Sequence, residues 1–270
     1  MSLASQQRPI TIQDIQGYKA RGERFVMLTA YDHPTAQILD QAGVGLLLVG
    51  DSLGDNVLGY PSTVPVTLDE MIHHAAAVRR GAHRALVIGD LPFMSYQVSP
   101  EDGMRAAGRL LKEAGVTAVK LEGGRRCAEL VARLVDAGIP VMGHIGLTPQ
   151  SVNVLGYRVQ GRETSGADRL LDDAVALAEA GAFSIVVEAV PAELGQRITG
   201  AVDVPTIGIG AGPHTDGQVL VINDVLGLST GPHPRFAKAY ADLRSVITDA
   251  VKSLSAEVAS GDYPGPEHSY

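Results

Sequence analysis

Four acidic residues stand where apolar runs give out. They are Asp51 in LLLVGDS (Leu46–Ser52), Asp90 in ALVIGDL (Ala85–Leu91), Glu122 in AVKLEGG (Ala118–Gly124) and Glu188 in FSIVVEAVP (Phe183–Pro191). Side chains alternate along a strand. Lys120 and Glu122 therefore share a face, Asp90 takes that of Leu86 and Ile88, and Glu188 that of Ser184 and Val186. By the same count Asp51 follows Leu47 and Val49, and His144 follows Met142. Singly, each acid reads as a helix N-cap or a surface carboxylate. Four of them, with a lysine and a histidine in register, read as one polar cluster at a barrel mouth. Clustered carboxylates repel and must be neutralised. Lys120 supplies one positive charge, and a divalent cation supplies the rest. Oxygen ligands favour Mg²⁺ or Mn²⁺ over zinc, and no HxxxH, HExxH or CxxC spacing competes. A hard ion with few protein ligands leaves positions open for a chelating 2-oxo acid and stabilises an enolate. The spare carboxylate is then the proton-abstracting base. Lys120 as a Schiff-base nucleophile is the rival reading, but Glu122 two residues away keeps it protonated.

The elements that position these residues are short β-branched runs at 25–31, 46–50, 85–89, 118–122, 140–145, 183–188, 205–209 and, most weakly, 218–222. Helical patterns fall between them at 34–42, 68–80, 100–114, 125–137, 165–180 and 192–200. Ser99 as N-cap, Pro100 at the first helical position and Glu101 and Asp102 in the first turn mark one start clearly. An alanine-glycine step recurs before a strand at 42–43, 114–115, 137–138 and 180–181, the chemistry of an αβ connection. Eight alternating units predict a single (β/α)₈ barrel over residues 1–270, with an N-terminal helix and a long C-terminal helix from about 235 to 259. A doubly wound open sheet is the runner-up. The long polar connections 52–67 and 146–165 follow the second and fifth strands and line the active face. IGIGAG (Ile207–Gly212) fails the dinucleotide pattern at Pro213 and fits a close backbone approach or a phosphate-type turn at strand seven instead.

Composition narrows the partners. Apolar residues are 45% of 270 and charged residues 19%, which excludes wholesale disorder. A net charge of −8 without a basic tract argues against nucleic acid. The Arg79, Arg80, His83 and Arg84 group reads as a solvated helix end. The single cysteine, Cys127, excludes an internal disulfide framework and reads as a packed thiol. The longest apolar runs, such as Val44–Val49, are strand-length, and the N-terminal segment has no signal-like run. A cytoplasmic protein without membrane partners is expected.

Several uninterrupted segments carry a family resemblance. They are MLTAYD (Met27–Asp32), VGDSLG (Val49–Gly54), LGYPSTVPVTLDEM (Leu58–Met71), GDLPFMSY (Gly89–Tyr96), VKLEGG (Val119–Gly124) and MGHIGLTPQSVN (Met142–Asn153). IGIGAG with TDGQVLV (Thr215–Val221) and the terminal YPGPEHSY (Tyr263–Tyr270) complete the set. The chain closely resembles the ketopantoate hydroxymethyltransferases, barrels related to the phosphoenolpyruvate mutase and isocitrate lyase group. The resemblance implies transfer of a one-carbon unit from 5,10-methylenetetrahydrofolate to 3-methyl-2-oxobutanoate, giving 2-dehydropantoate on the way to pantothenate and coenzyme A. It places Asp51, Asp90 and Glu122 at a Mg²⁺ site, and Asp51, Ser52, Asp90 and Lys120 on the 2-oxo acid. It puts His144 beside the substrate and makes Glu188 the proton acceptor. It also implies a homo-oligomer, a decamer of two pentameric rings. A Mg²⁺-dependent carbon–carbon lyase of the same barrel group is the alternative, separated by dependence on tetrahydrofolate. The loop at Leu155-Gly156-Tyr157 is one residue shorter than the family's usual double glycine, which alters a lid but removes no assigned residue. The strand faces agree with the two glutamate roles. Lys120 favours an ionised, metal-directed Glu122, whereas Glu188 has only Ser184 and Val186 on its own face to desolvate it.

Overall fold

The structure, a computed structural model, describes residues 8–229 and 234–270. Residues 1–7 of the N-terminal segment read above lie outside the described residues. The chain separates into two compact units, 1–221 and 222–270.

The first unit holds eight strands: β1 (Phe25–Thr29), β2 (Leu46–Val49), β3 (Leu86–Asp90), β4 (Ala118–Glu122), β5 (Val141–Gly146), β6 (Ser184–Glu188), β7 (Thr206–Ile209) and β8 (Gly217–Leu220). Each pairs in parallel with the next, and β8 returns to β1, closing the barrel. This is the predicted (β/α)₈ fold, and the open sheet is excluded. Strands β2 to β5 are buried at every position, as barrel strands covered on both faces are. One apolar cluster takes a residue from every strand, including Met27, Leu48, Ile88, Ala118, Met142, Val186, Ile207 and Val219, so it is the barrel interior. Ile15 of the helix Ile12–Arg21 joins that cluster. This helix is the predicted N-terminal one. A reciprocal capping box between Thr11 and Asp14 fixes its start.

The intervening helices begin where the sequence places caps. Asp32 accepts the amide of Thr35 ahead of His33–Gln41, and Thr67 and Glu70 cap Leu68–Gly81 reciprocally. Ser99 caps Pro100–Arg109, whose last turn then widens into a π-helical segment, Leu110–Ala114. Gly212, in the IGIGAG stretch, has φ +80°, and a Cβ there would strike Ala192. The close-approach reading of that segment therefore holds.

In the second unit the predicted C-terminal helix begins later than expected, at Leu243–Ser260 rather than near Arg235. Asp242 is the true N-cap, accepting the Ser245 amide. Residues 235–241 are irregular instead, with the Tyr240 amide donating to the Val225 carbonyl. Val246, Ile247, Val251, Leu254 and Val258 of the helix are all about half exposed or more. Among the described residues no helix is long and apolar enough to cross a membrane.

Candidate active site

The interior parity of four neighbouring strands carries five polar residues to the C-terminal mouth. Ile88 is an inward residue, so Asp90 is too; Ala118 fixes Lys120 and Glu122, Met142 fixes His144, and Val186 fixes Glu188. Register then sets them side by side, because Asp90 pairs with Lys120 across β3–β4 and Glu122 with His144 across β4–β5. Asp90, Lys120, Glu122 and His144 are buried, while the Glu188 side chain keeps 15% exposure at the rim. Lys120 Nζ lies 2.7 Å from Asp90 Oδ1. His144 Nδ1 lies 3.4 Å from Glu122 Oε1, and its Nε2 lies 3.2 Å from Glu188 Oε2. The Lys120–Asp90 and His144–Glu188 contacts have ion-pair distances without directed hydrogen-bond geometry.

Neighbouring strands add to what the strand faces predict. The direct partner of Lys120 is Asp90 on the neighbouring strand rather than Glu122 on its own, because cross-strand neighbours sit closer than residues two apart. Glu188 is not desolvated among apolar neighbours alone, since His144 faces it from β5. What separates the two glutamates is access. Glu122 is sealed, with Oε2 accepting the Gln150 amide at 3.0 Å, whereas Glu188 reaches the mouth. Gly146 makes room for this arrangement. It pairs with Glu188 at φ +95°, and a Cβ there would collide with the Glu188 carbonyl.

Asp51 reaches the cluster by another route. The inward residues of β2 are Leu46 and Leu48, so continued alternation on the face of Leu47 and Val49 would send Asp51 outward. The strand stops at Val49, and the turn after Gly50 redirects the chain. The Asp51 amide then donates to Asp90 Oδ2 at 3.1 Å, and Asp51 Oδ2 accepts Gln150 Nε2 at 2.8 Å. Ser52 lies beside Tyr31, with 2.9 Å between the two hydroxyl oxygens.

Gln150 and Tyr96 were not singled out from sequence, although both lie inside quoted motifs. Gln150 is buried and ties four elements together. Its Nε2 also donates to the Leu91 carbonyl, and its Oε1 accepts from Tyr96 and Gln97. The Tyr96 hydroxyl contacts both the carbonyl and the amide of Glu122. The available signal was a glutamine and a tyrosine in otherwise apolar or turn-forming motifs, which says nothing about burial.

The electrostatics follow from burying three carboxylates with two cations, with a fourth carboxylate, Glu188, at the rim. Burial raises the Asp51 carboxyl well above its ordinary range, and Asp90 and Glu122 push it further. Burial also raises Asp90, with Lys120 opposing. For Lys120 burial acts downward, yet Asp90, Glu122 and Asp51 together lift it above the usual lysine value. It is therefore an ammonium, which disfavours the Schiff-base reading. His144 is pulled down by burial and Lys120 but raised to about 9 by Glu122 and Glu188, so it is imidazolium near neutral pH. Cys127 is buried with its thiol raised by burial, as expected of a packed thiol.

This donor set suits a hard divalent ion. Asp51, Asp90 and Glu122 offer oxygen only, and the uncompensated charge that raises Asp51 is what a cation would relieve. Among the described residues no group of three or more acidic, histidine or cysteine side chains is already drawn together as a metal site.

The chain is similar to proteins of known family and fold. The family model described as ketopantoate hydroxymethyltransferase matches residues 9–266. A 3-methyl-2-oxobutanoate hydroxymethyltransferase of Chloroflexus aurantiacus is 62% identical over 260 residues, covering 96% of this chain and 92% of its own. One from Streptomyces coelicolor is 57% identical over 262 residues, covering 97% and 90%. Among solved structures, phosphonopyruvate hydrolase in complex with oxalate and Mg²⁺ has a TM-score of 0.60 at 13% identity, covering 95% of this chain and 92% of that one. 2,3-Dimethylmalate lyase, of the phosphoenolpyruvate mutase/isocitrate lyase superfamily, has a TM-score of 0.61 at 16% identity, covering 96% and 93%. These distant structures bear on the fold, and the close relatives on the family. With eight paired strands, a strand-end carboxylate cluster and a match over nearly its whole length, the chain belongs to the ketopantoate hydroxymethyltransferase family.

Proposed function

We propose that the chain transfers a hydroxymethyl group from 5,10-methylenetetrahydrofolate to 3-methyl-2-oxobutanoate, giving 2-dehydropantoate. The observation that carries this is a buried acid–base cluster at the mouth of a barrel whose relatives, 55–62% identical, bear the name of that reaction. Asp51, Asp90 and Glu122 would hold Mg²⁺, which supplies Lewis-acid polarisation of the keto and carboxylate oxygens of the 2-oxo acid. Lys120, an ammonium next to Asp90, and the Ser52 hydroxyl bind the substrate carboxylate. Glu188 takes the proton from C3, and its electron pair passes into the enolate. His144 faces Glu188 and Glu122 as imidazolium and orients the base from beneath. Water adds to the methylene carbon of the folate iminium, and the C–N bond breaks as the nitrogen takes a proton, releasing tetrahydrofolate and leaving the carbon at the aldehyde level. C3 then attacks that carbon, forming the C–C bond as the C=O pair moves to oxygen and takes the proton held by Glu188, which gives 2-dehydropantoate.

Residues 1–270 act as one catalytic domain in this reading, in the cytoplasm and as a homodecamer. The exposed apolar stripe on the helix Leu243–Ser260 supports association. The test is incubation with both substrates and Mg²⁺, followed by mass-spectrometric detection of 2-dehydropantoate. Product that requires all three components and disappears on chelation supports the assignment. Cleavage of a 2-oxo acid without tetrahydrofolate would instead indicate a lyase.

A further inference from the structure

Among the described residues two that are not glycine have a positive φ, Met94 at +65° and Ala189 at +49°. Met94 is exposed, whereas Ala189 is buried and directly follows Glu188 at the end of β6. In the left-handed region a Cβ crowds the backbone, and alanine has no polar side-chain atom to offset that as asparagine or aspartate can. Such a conformation persists only where the surroundings over-determine it.

Those surroundings include three backbone hydrogen bonds at the strand end. The Glu188 carbonyl accepts the Leu147 amide, just past β5, at 2.8 Å. The Ala189 amide donates to the Ile209 carbonyl of β7 at 2.8 Å, and the Ala189 carbonyl accepts the Gln160 amide at 2.8 Å. In an extended strand the N–H and C=O of one residue face the same neighbour. Continued extension would therefore send both polar groups of Ala189 towards β7, the side to which Ile185, of the same parity, donates its amide at Pro205. The positive φ instead turns the carbonyl out of the β6–β7 ladder and onto the loop that follows β5. That loop is drawn in close. Gly161 has φ +69°, and a Cβ there would strike Leu194 in the helix after β6, Ala192–Ala201. The Glu188 carboxylate thus projects from a strand end whose backbone is held from both sides, while His144 Nε2 meets it at 3.2 Å.

We infer that Ala189 is a positioning residue for the proton-abstracting carboxylate. Its left-handed backbone ties the strand end that carries Glu188 to Gln160, and its Cβ denies that junction the other conformations a glycine would explore. The inference rests on the reading of Glu188 as the proton acceptor. Glycine would adopt φ +49° without strain but would also leave it freely. A misplacement of about 1 Å at a reacting group costs up to about 10²-fold, so a loosened junction should cost about tenfold.

The test is Ala189→Gly, compared with the wild type and with Glu188→Gln. Deuterium exchange at C3 of 3-methyl-2-oxobutanoate, with Mg²⁺ and no folate, should fall about tenfold in Ala189→Gly, and kcat with it. KM for the 2-oxo acid and the Mg²⁺ affinity should stay at wild-type values. Tm should hold or rise, because the substitution relieves a conformation that alanine resists. Hydrogen-exchange mass spectrometry should show faster amide exchange in a peptide spanning residues 155–161, where the Gln160 amide loses its fixed acceptor. Wild-type C3 exchange and kcat in Ala189→Gly overturn the inference alone. So does a rate loss that comes with a lower Tm and weaker Mg²⁺ binding, the pattern of general damage. No C3 exchange by the wild type, or wild-type exchange by Glu188→Gln, overturns the reading of Glu188 and the inference with it.

Discussion

Replacing Gln150 with leucine removes the amide that joins Asp51 to the rest of the cluster while nearly conserving side-chain volume. The backbone amide of Gln150 still donates to Glu122, so the change isolates the side chain. Tyr96 keeps its two contacts with the Glu122 backbone, and Gln97 can turn to solvent. Two buried groups are left without their donor: the Asp51 carboxylate, 2.8 Å from Nε2, and the Leu91 carbonyl, 2.9 Å away. A lost bond to a buried charge costs roughly 1.5–3 kcal/mol and one to a neutral group about 1, so Gln150→Leu should destabilise by about 3 kcal/mol. At about 2–4 °C per kcal/mol for a chain of this size, Tm should fall by roughly 6–12 °C in a calorimetric scan. The Gln150 hydrogen bond also lowers the Asp51 carboxyl, so its loss lets that group hold its proton more tightly. Isothermal titration should show Mg²⁺ binding weakened about tenfold or more. A variant within 2 °C (about 0.5–1 kcal/mol) of wild type and with unchanged Mg²⁺ affinity would refute the role given to Gln150.

Lys120→Met removes the counter-charge 2.7 Å from Asp90 and should cost about 3–5 kcal/mol near neutral pH in urea titrations. Burial already raises the Asp90 and Asp51 carboxyls, and a folded-state value above the unfolded one means that the cost grows as pH rises from the unfolded value. The deficit should therefore shrink as pH falls towards 4, about the ordinary carboxylate range, and a deficit independent of pH would contradict the charge assignment. Gly146→Ala introduces a Cβ at φ +95° against the Glu188 carbonyl, so it should cost more than about 1 kcal/mol and lower kcat by displacing β6; wild-type kinetics would remove this constraint. Leu254→Glu on the exposed stripe should convert the oligomer to smaller species in light scattering, whereas an unchanged mass would place the interface elsewhere.

Much of the site was legible because a barrel strand makes side-chain direction a matter of parity. Asp90, Lys120, Glu122, His144 and Glu188 point inward for the same reason as Ile88, Ala118, Met142 and Val186. Parity fails where the strand ends, and Asp51 joins the cluster through a turn rather than through alternation. Pairing between strands is a property of register, so the Lys120–Asp90 and His144–Glu188 contacts were not readable from either strand alone. Gln150 lies in a 3₁₀ turn, Pro149–Ser151, where no periodicity predicts burial. The start of the C-terminal helix was placed too early because the stretch after Arg235 contains helix-compatible residues, while the deciding feature is the cap at Asp242.

The central claim is that Glu188 takes the C3 proton while Glu122 does not. Glu188 keeps 15% exposure at the mouth, and Glu122 is sealed by Gln150 and His144. Proton NMR of 3-methyl-2-oxobutanoate in D₂O with Mg²⁺ and no folate isolates that step as deuterium exchange at C3. Wild type should exchange, and Glu188→Gln should slow exchange by about 10²–10⁴-fold while still binding Mg²⁺ and the 2-oxo acid. Wild-type exchange by Glu188→Gln, together with no exchange by a metal-loaded Glu122→Gln, would reverse the two roles.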